Sequence, residues 1–445
     1  MEFLIGVGMF GGLLIILALG VPIAFALLFV AMTTLFITGG GWDALSLISG
    51  TYWSSVATFT LTSLPMFMFM GAIVSASGMG SRLYGALSIV LDGVPGALAV
   101  ATTVACAVMA AVSGSSVATA AAIGGFAIAE MRRRGVPDGE ACGAVAAGGT
   151  LGILIPPSIP LIVYSVIAQQ SIGKLFIAAI VPGLIMAMAF ALFQIALALR
   201  RCGRSGRSTR PGSIDVDRTR RLASLRERIV ALKDVGPFAF LIAIILGTLY
   251  LGLATPTEAA ALGIIACLLL SGVVYRELNW AKFRQILVET AQSSVMILAV
   301  ITAAIVFGYV MTVTQVAATL TNAVAQAHVA PWVLFICINL LLIFLGCFME
   351  TIAIIVVTMP ILVPVVQTFH WDLIWFGIIV TINMEMALIH PPVGLNLFVV
   401  QSVAPDVPLR RIVLGTLPYV FIMAAMLALV GFFPQLTRVL HGATG

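Results

Sequence analysis

The chain has 445 residues, 61% of them hydrophobic and only 9% charged, with 22 basic against 17 acidic side chains and a mean hydropathy of +1.18. A soluble domain carries about 25% charged residues, so the composition excludes one. Apolar runs near 20 residues recur without the alternating pattern of a β-barrel, which predicts an all-α polytopic protein of the lipid bilayer.

In chain order, "MEFLIGVGMFGGLLIILALG" lacks a basic n-region and a small-residue cleavage site, and predicts a transmembrane helix rather than a signal peptide. Crossings follow over 3–19, 22–38 and 52–77. The apolar stretch 95–131 is too long for one helix, must return to its starting side, and breaks at "SGSSVAT" (113–119). It predicts a re-entrant helical hairpin. Next comes 139–170, interrupted by "GGTLGILIPPSIPLIVYS" (148–165), and then 174–199. Residues 200–234 hold ten Arg and one Lys against four acids. Such a run can bind nucleic acid, but beside membrane helices it marks a cytoplasmic linker, and no nucleic-acid partner is expected.

Beyond the linker, crossings are predicted over 237–252, 256–274 and 289–312. A second hairpin spans 331–369 and breaks at "GCFMET" (346–351); a second interrupted helix, 371–403, and a last crossing, 412–436, complete the chain. With the linker inside, 20 of the 22 basic residues are cytoplasmic; only Lys174 and Arg438 fall outside, and both termini are periplasmic. The six cysteines form no CxxC pair and the four histidines no metal motif, so neither disulfides nor a zinc site are expected.

The halves match: Pro22 with Pro256, Thr119 with Thr351, Pro156 and Pro157 with Pro391 and Pro392, and Pro182 with Pro418, all 232 to 236 residues apart. Each half, 1–199 and 236–445 around the linker 200–235, has five crossings plus a hairpin. Five is odd, so the repeats are inverted, as in secondary transporters that bind cargo at the midplane.

Prolines deny a helix its i−4 bond and glycines free the backbone. Carbonyls released at 148–157 and 383–392 are tolerated in a bilayer only where they line a cavity or bind something. Ser113, Gly114, Ser116, Thr119, Gly149, Thr150 and Gly152 predict one oxygen cage of the kind Na⁺ accepts. Gly346, Thr351 and Asn383, with the carbonyls of Met384, Ala387 and His390, predict a second. Helix N-termini at the tips and the Pro-Pro steps offer positive charge to an anionic substrate. The residues placed to meet it are Ser115, Ser116, Pro156, Pro157, Glu350, His390, Pro391, Pro392 and Asn396. Glu258 reads equally as a functional acid or a helix cap, and Glu385 as a functional acid.

The stretches "SGSSVATAAAIG", "GGTLGILIPPSIPLIVY", "GLATPTEAAALG", "GCFMETIAIIVVTMPILVP" and "NMEMALIHPPVGLNLFV" resemble the large membrane subunit, the M-type or DctM-like permease, of tripartite ATP-independent periplasmic (TRAP) transporters. The resemblance runs essentially the whole length. It implies a bacterial inner-membrane importer of the elevator type, within the ion-transporter superfamily, driven by at least two Na⁺ ions without an organic cofactor, and not an enzyme. It implies two partners: a small four-helix Q-type membrane subunit, and a periplasmic substrate-binding protein delivering a C4-dicarboxylate, sugar acid or sialic acid. The family's first sodium site would fall on the 113–119 tip and the 148–152 break, the second on the 346–351 tip and the 384–390 break. Where the family often reads "GLITPP", this chain reads "ALIHPP", with Ala387 for Gly and His390 for Thr. The alternative is a self-sufficient Na⁺/carboxylate carrier of the same superfamily.

Overall fold

The computed structural model describes residues 2–205, 223–327 and 329–440. Residues 206–222 of the basic linker and residues 441–445 lie outside the described residues, and with them the cytoplasmic placement expected of the one and the periplasmic placement of the other. The first half runs α1 (Glu2–Ala18), α2 (Ile23–Leu35), α3 (Gly41–Val56), α4 (Ser63–Ala76), α5 (Met79–Val90), α6 (Ala97–Ser113), α7 (Ser116–Arg133), α8 (Asp138–Leu154), α9 (Ile159–Ile167) and α10 (Ile172–Ser205). The second runs α11 (Leu225–Tyr250), α12 (Pro256–Leu269), α13 (Trp280–Val313), α14 (Val316–Gln326), α15 (Pro331–Gly346), α16 (Thr351–Thr368), α17 (Leu373–Ile389), α18 (Leu395–Val403) and α19 (Leu409–Phe432). Among the described residues, eight helical segments are long and apolar enough to cross a membrane, the α8–α9 pair among them.

The repeat is visible helix by helix. Ser116–Arg133 and Thr351–Thr368 are displaced by 235 residues, as are Asp138–Leu154 and Leu373–Ile389. A π-helical turn follows the second helix of each half, at Phe36–Gly40 and Leu270–Val274. Three details depart from the sequence reading. The 52–77 crossing is split at Thr58, which is extended, and its counterpart α13 is one helix of 34 residues. The short helices α5 and α14 precede the hairpins, where no element was expected. The alignment of α7 with α16 puts Ser116, not Thr119, opposite Thr351, because each opens the second arm of its hairpin; Thr119 falls opposite Ile354.

The apolar helices sort by depth. Of the most apolar 18-residue window in Asp138–Ile167, 83% is buried, against 22% for α11. The α8–α9 pair and α17 are therefore the heart of the molecule, while α11 and α12 turn Phe240, Leu262 and Ile265 outward. Lipid tails give helices no hydrophobic reason to associate, so close packing of small residues must supply it. A Cβ on Gly143 of α8 would collide with the carbonyl of Gly415 on α19, and one on Gly415 with the carbonyl of Gly139. Buried polar groups are bonded across helices: Gln194 of α10 joins Thr103 of α6 at 2.8 Å and Tyr419 of α19 at 3.1 Å.

Candidate ion and substrate site

The first hairpin turns in two residues. Gly114 takes φ +63°, a left-handed conformation open to glycine, and ends α6. Ser115 is extended and caps α7, its Oγ accepting from Ala118 N at 3.4 Å. Around this turn Ser113 Oγ and Thr119 Oγ1 lie 2.8 Å apart, and Thr119 donates to the Ser115 carbonyl at 2.8 Å. A compact knot of hard oxygens results.

The tip rests on the broken helix of its own repeat. Ile155 is extended, as a residue before proline prefers, and Pro156 has no N–H to continue α8. Ser158 restarts the chain as the cap of α9 and donates to Ile153 O at 2.5 Å. A Cβ on Gly152 would lie 2.7 Å from the Ser115 carbonyl, and one on Gly114 2.8 Å from the Pro157 carbonyl. Gly149 abuts Ala120 in the same way. Thr150 bonds its own helix, donating to Ala147 O at 2.7 Å.

The second repeat has the same plan with other chemistry. His390 is extended before Pro391, and Gly394, at φ +54°, precedes α18. The Pro156–Pro157 and Pro391–Pro392 bonds are both cis. A Cβ on Gly346 would collide with that of Ala387, so this tip sits on α17. Cys347 Sγ lies 3.7 Å from His390 Nδ1, and the carbonyls of Ile343 at 3.4 Å and Pro391 at 3.5 Å are alternative acceptors for its single proton. Asn383 Nδ2 reaches Asn339 Oδ1 of α15 at 2.6 Å. Asn339 was not foreseen; a lone amide within the apolar run "CINLLLIF" was the available signal.

The repeats then cross. α7 packs on α18, and α16 on α9. Asn396 of α18 donates to Ser116 Oγ at 2.7 Å and to Ala146 O at 3.1 Å. The first tip is thus bonded to the helix that follows the second break, and the second arm of the other hairpin packs on the helix that follows the first. Asn396 and Asn383 are fully buried, and each leaves its Oδ1 without a donor. An unsatisfied buried oxygen costs about 1–3 kcal/mol, which a hard cation removes. The donor set of hydroxyls, carbonyls and amide oxygens therefore fits Na⁺.

The expected substrate residues divide. Ser116, Pro156, Pro157 and Asn396 are buried, whereas Ser115, His390 and Pro391 are partly exposed and Glu350 and Pro392 exposed. Glu350 lines a cavity of about 900 Å³ bounded by α1, α2, α13 and the second tip. Thr351 is buried directly behind it. Glu258 is resolved as a cap: its carboxylate accepts from Thr255 N at 2.8 Å and its N–H donates to Thr255 Oγ1 at 3.4 Å. Glu385 is fully buried with no donor on either oxygen. It lies about 200° around α17 from Asn383 and from Ala387, away from the second tip.

At the membrane surface, Arg132 at the foot of the first hairpin pairs with Asp138 at 2.9 Å and with Asp406 at 2.9 Å. The Arg132 guanidinium holds the Asp406 carboxyl below the usual carboxylate range. Arg438 pairs with Asp372, the cap of α17, at 2.8 Å.

Two repeats, each seating a hairpin tip on a broken helix and packed crosswise on one another, have the build of a membrane transporter. Residues 10–436 match the family described as "Tripartite ATP-independent periplasmic transporter, DctM component". The chain is 35% identical to the C4-dicarboxylate TRAP transporter large permease protein DctM of Pseudomonas aeruginosa, over 87% of each chain. It is 32% identical to the sialic acid TRAP transporter large permease protein SiaM of Vibrio cholerae, over 98% of each. The solved YdaH transporter of Alcanivorax borkumensis shares the fold, with a TM-score of 0.59 at 16% identity, over 90% of this chain and 89% of that one. The protein belongs to the DctM family of TRAP large permease subunits: a multi-pass membrane transporter, not an enzyme.

Proposed function

We propose that the protein is the permease of a Na⁺-driven, three-component importer of an organic carboxylate in the bacterial inner membrane. The crosswise seating of two hairpin tips on two broken helices, with orphaned amide oxygens beside them, carries this reading. Na⁺ fills the oxygen knot of Ser113, Ser115 and Thr119, and a second Na⁺ the pocket between Gly346, Asn383 and the carbonyls before Pro391. Each ion draws oxygens of a tip and of its break to one centre, which fixes the tips in the form that accepts an anion. The substrate carboxylate then meets helix N-termini at the tips and breaks.

The hairpins and the α8–α9 and α17–α18 pairs move as one body against a scaffold that includes α1, α2, α11, α12 and α13, an elevator motion. Each charge carried through 100 mV contributes about 2.3 kcal/mol. A small membrane subunit steadies the scaffold and a periplasmic binding protein delivers the cargo. The linker lies in the cytoplasm and both termini in the periplasm. The names of two relatives, a C4-dicarboxylate and a sialic acid permease, support a small organic acid as the substrate.

Proteoliposomes holding the permease with its small subunit and binding protein test this, with labelled carboxylates and an inward Na⁺ gradient. Uptake that needs both Na⁺ and the binding protein is expected. Uptake without the binding protein would replace the three-component reading by a self-sufficient carrier, and uptake indifferent to Na⁺ would overturn the coupling.

A further inference from the structure

The second tip carries a pair of side chains that the sodium reading does not use. Cys347, just after α15, and His390, at the end of α17, lie 43 residues apart in sequence and on two separate elements, the hairpin tip and the broken helix it rests on. Sγ and Nδ1 are 3.7 Å apart, and the Pro391 carbonyl oxygen is 3.5 Å from Sγ. A tetrahedral ion bound at about 2.3 Å to a thiolate and about 2.0–2.1 Å to an imidazole or an oxygen sets these atoms roughly 3.6 Å apart. The two distances from Sγ therefore match the edges of a coordination tetrahedron. The corresponding positions of the first repeat, 235 residues earlier, are Val112 and Ile155, which have no donor atoms. The pairing is a property of this break alone.

We propose that Cys347, His390 and the Pro391 carbonyl form a site for a thiophilic divalent cation such as Zn²⁺, which clamps the second hairpin tip to the broken helix. Cys347 contributes its thiolate, its proton passing to water as the ion binds. His390 contributes the Nδ1 lone pair with its proton on Nε2, and water takes the fourth position. The soft sulfur ligand selects Zn²⁺ over the hard Na⁺ of the oxygen cages. Cys347 is 8% exposed and His390 partly so, which gives an ion access from the His390 side. Because the ligands lie on two elements, the bound ion joins them, whereas the first tip remains free. Slowed transport under Zn²⁺ rests on the proposal that this tip parts from the break during the cycle; binding of the ion does not.

The test therefore reads binding first. The purified full chain is titrated with Co²⁺, whose thiolate charge-transfer band reports a sulfur ligand, and then with Zn²⁺ in competition. A one-to-one band that Zn²⁺ displaces is expected. Cys347→Ala should abolish it and His390→Thr should weaken binding at least about tenfold, with both variants eluting as the native chain does. Cys347→Ser serves as a second variant should the alanine form fail to fold. No sulfur band in the native chain, or an equal band in both Cys347 variants, overturns the site. In proteoliposomes Zn²⁺ should slow Na⁺-driven uptake by the native chain, reversibly by chelator, and not by Cys347→Ala. If the band behaves as expected but no uptake occurs even without Zn²⁺, the transport reading fails and the metal site stands.

Discussion

The two breaks follow one backbone plan and differ in almost every side chain. At the first, Pro156 and Pro157 are buried, hydroxyls of Ser113 and Thr119 gather at the tip, and Asn396 from the other repeat seals the cluster. At the second, Pro392 is exposed, His390 and Pro391 are partly so, and the positions of Ser113, Ser115 and Thr119 are taken by Phe348, Glu350 and Ile354. Thr150 is answered by Glu385 and Gly152 by Ala387. Backbone geometry is thus preserved where the fold requires a helix to stop, while ligand chemistry has diverged. The first site is a closed cage of hydroxyls. The second is open, built on carbonyls, an amide pair and a carboxylate at the rim.

The largest effects should come from filling the glycines that let each tip sit down. Gly152→Val drives a side chain into the Ser115 carbonyl and the Ser116 N–H, backbone atoms that cannot yield. Na⁺-driven uptake should fall by about 100-fold, equivalent to roughly 3 kcal/mol of overpacking; uptake within twofold of native would show that the first tip need not seat. Gly346→Ala should also cost 10-fold or more, roughly 1–3 kcal/mol, but through a clash with one methyl, that of Ala387. The double variant with Ala387→Gly should therefore recover most of the loss. No recovery would mean that the contact between Gly346 and Ala387 is not what limits the second site.

A smaller effect should sharpen the contrast in ligand chemistry. Removing both hydroxyls with Ser113→Ala and Thr119→Val should raise the Na⁺ concentration for half-maximal uptake about tenfold, the value of one to two lost hydrogen-bonding oxygens. Ile354→Val, at the position equivalent to Thr119, should leave that concentration unchanged. A similar shift in both would erase the distinction between hydroxyl cage and carbonyl pocket. Asn396→Ala strands Ser116 Oγ and the Ala146 carbonyl and should lower stability by about 1–3 kcal/mol, measured by thermal unfolding in detergent.

The smallest effect concerns the foot of the first hairpin. Asp406 has a depressed folded-state pKa because Arg132 bonds to it, so its contribution to stability is present above the unfolded carboxylate pKa of about 3.9. It is lost as pH falls through the lower folded value. Arg132→Ala should flatten this acid-side loss in an unfolding series carried from about pH 5 downward through and below the unfolded value of about 3.9. Asp406 is exposed and Arg132 only partly buried, so the change should be slight.

Much of this molecule was legible from pattern. The hairpins, the interrupted helices and the repeat all follow from prolines, glycines and the length an apolar run can have in a bilayer, which are local and chain-order constraints. The pairing of Thr119 with Thr351 misled because identical letters near one offset need not share a place in a helix; Ser116 does, as the first residue of its arm. The small helices α5 and α14 escaped because short elements at a hairpin's approach leave no run of spanning length. Glu258 was ambiguous until both reciprocal bonds with Thr255 could be seen.

The sequence alone determined that this chain lives in a membrane, that it is built twice, and that its helices must break in two places, because hydropathy and missing backbone donors act on neighbours in the chain. Only the tertiary structure decided which oxygens meet. Asn396 reaches Ser116 across 280 residues, Asn383 reaches Asn339 across 44, and Cys347 reaches His390 across 43. The first of these meetings depends on how the two repeats cross; the other two lie within the second repeat, where the first arm of its hairpin packs on α17 through Gly346 and Ala387.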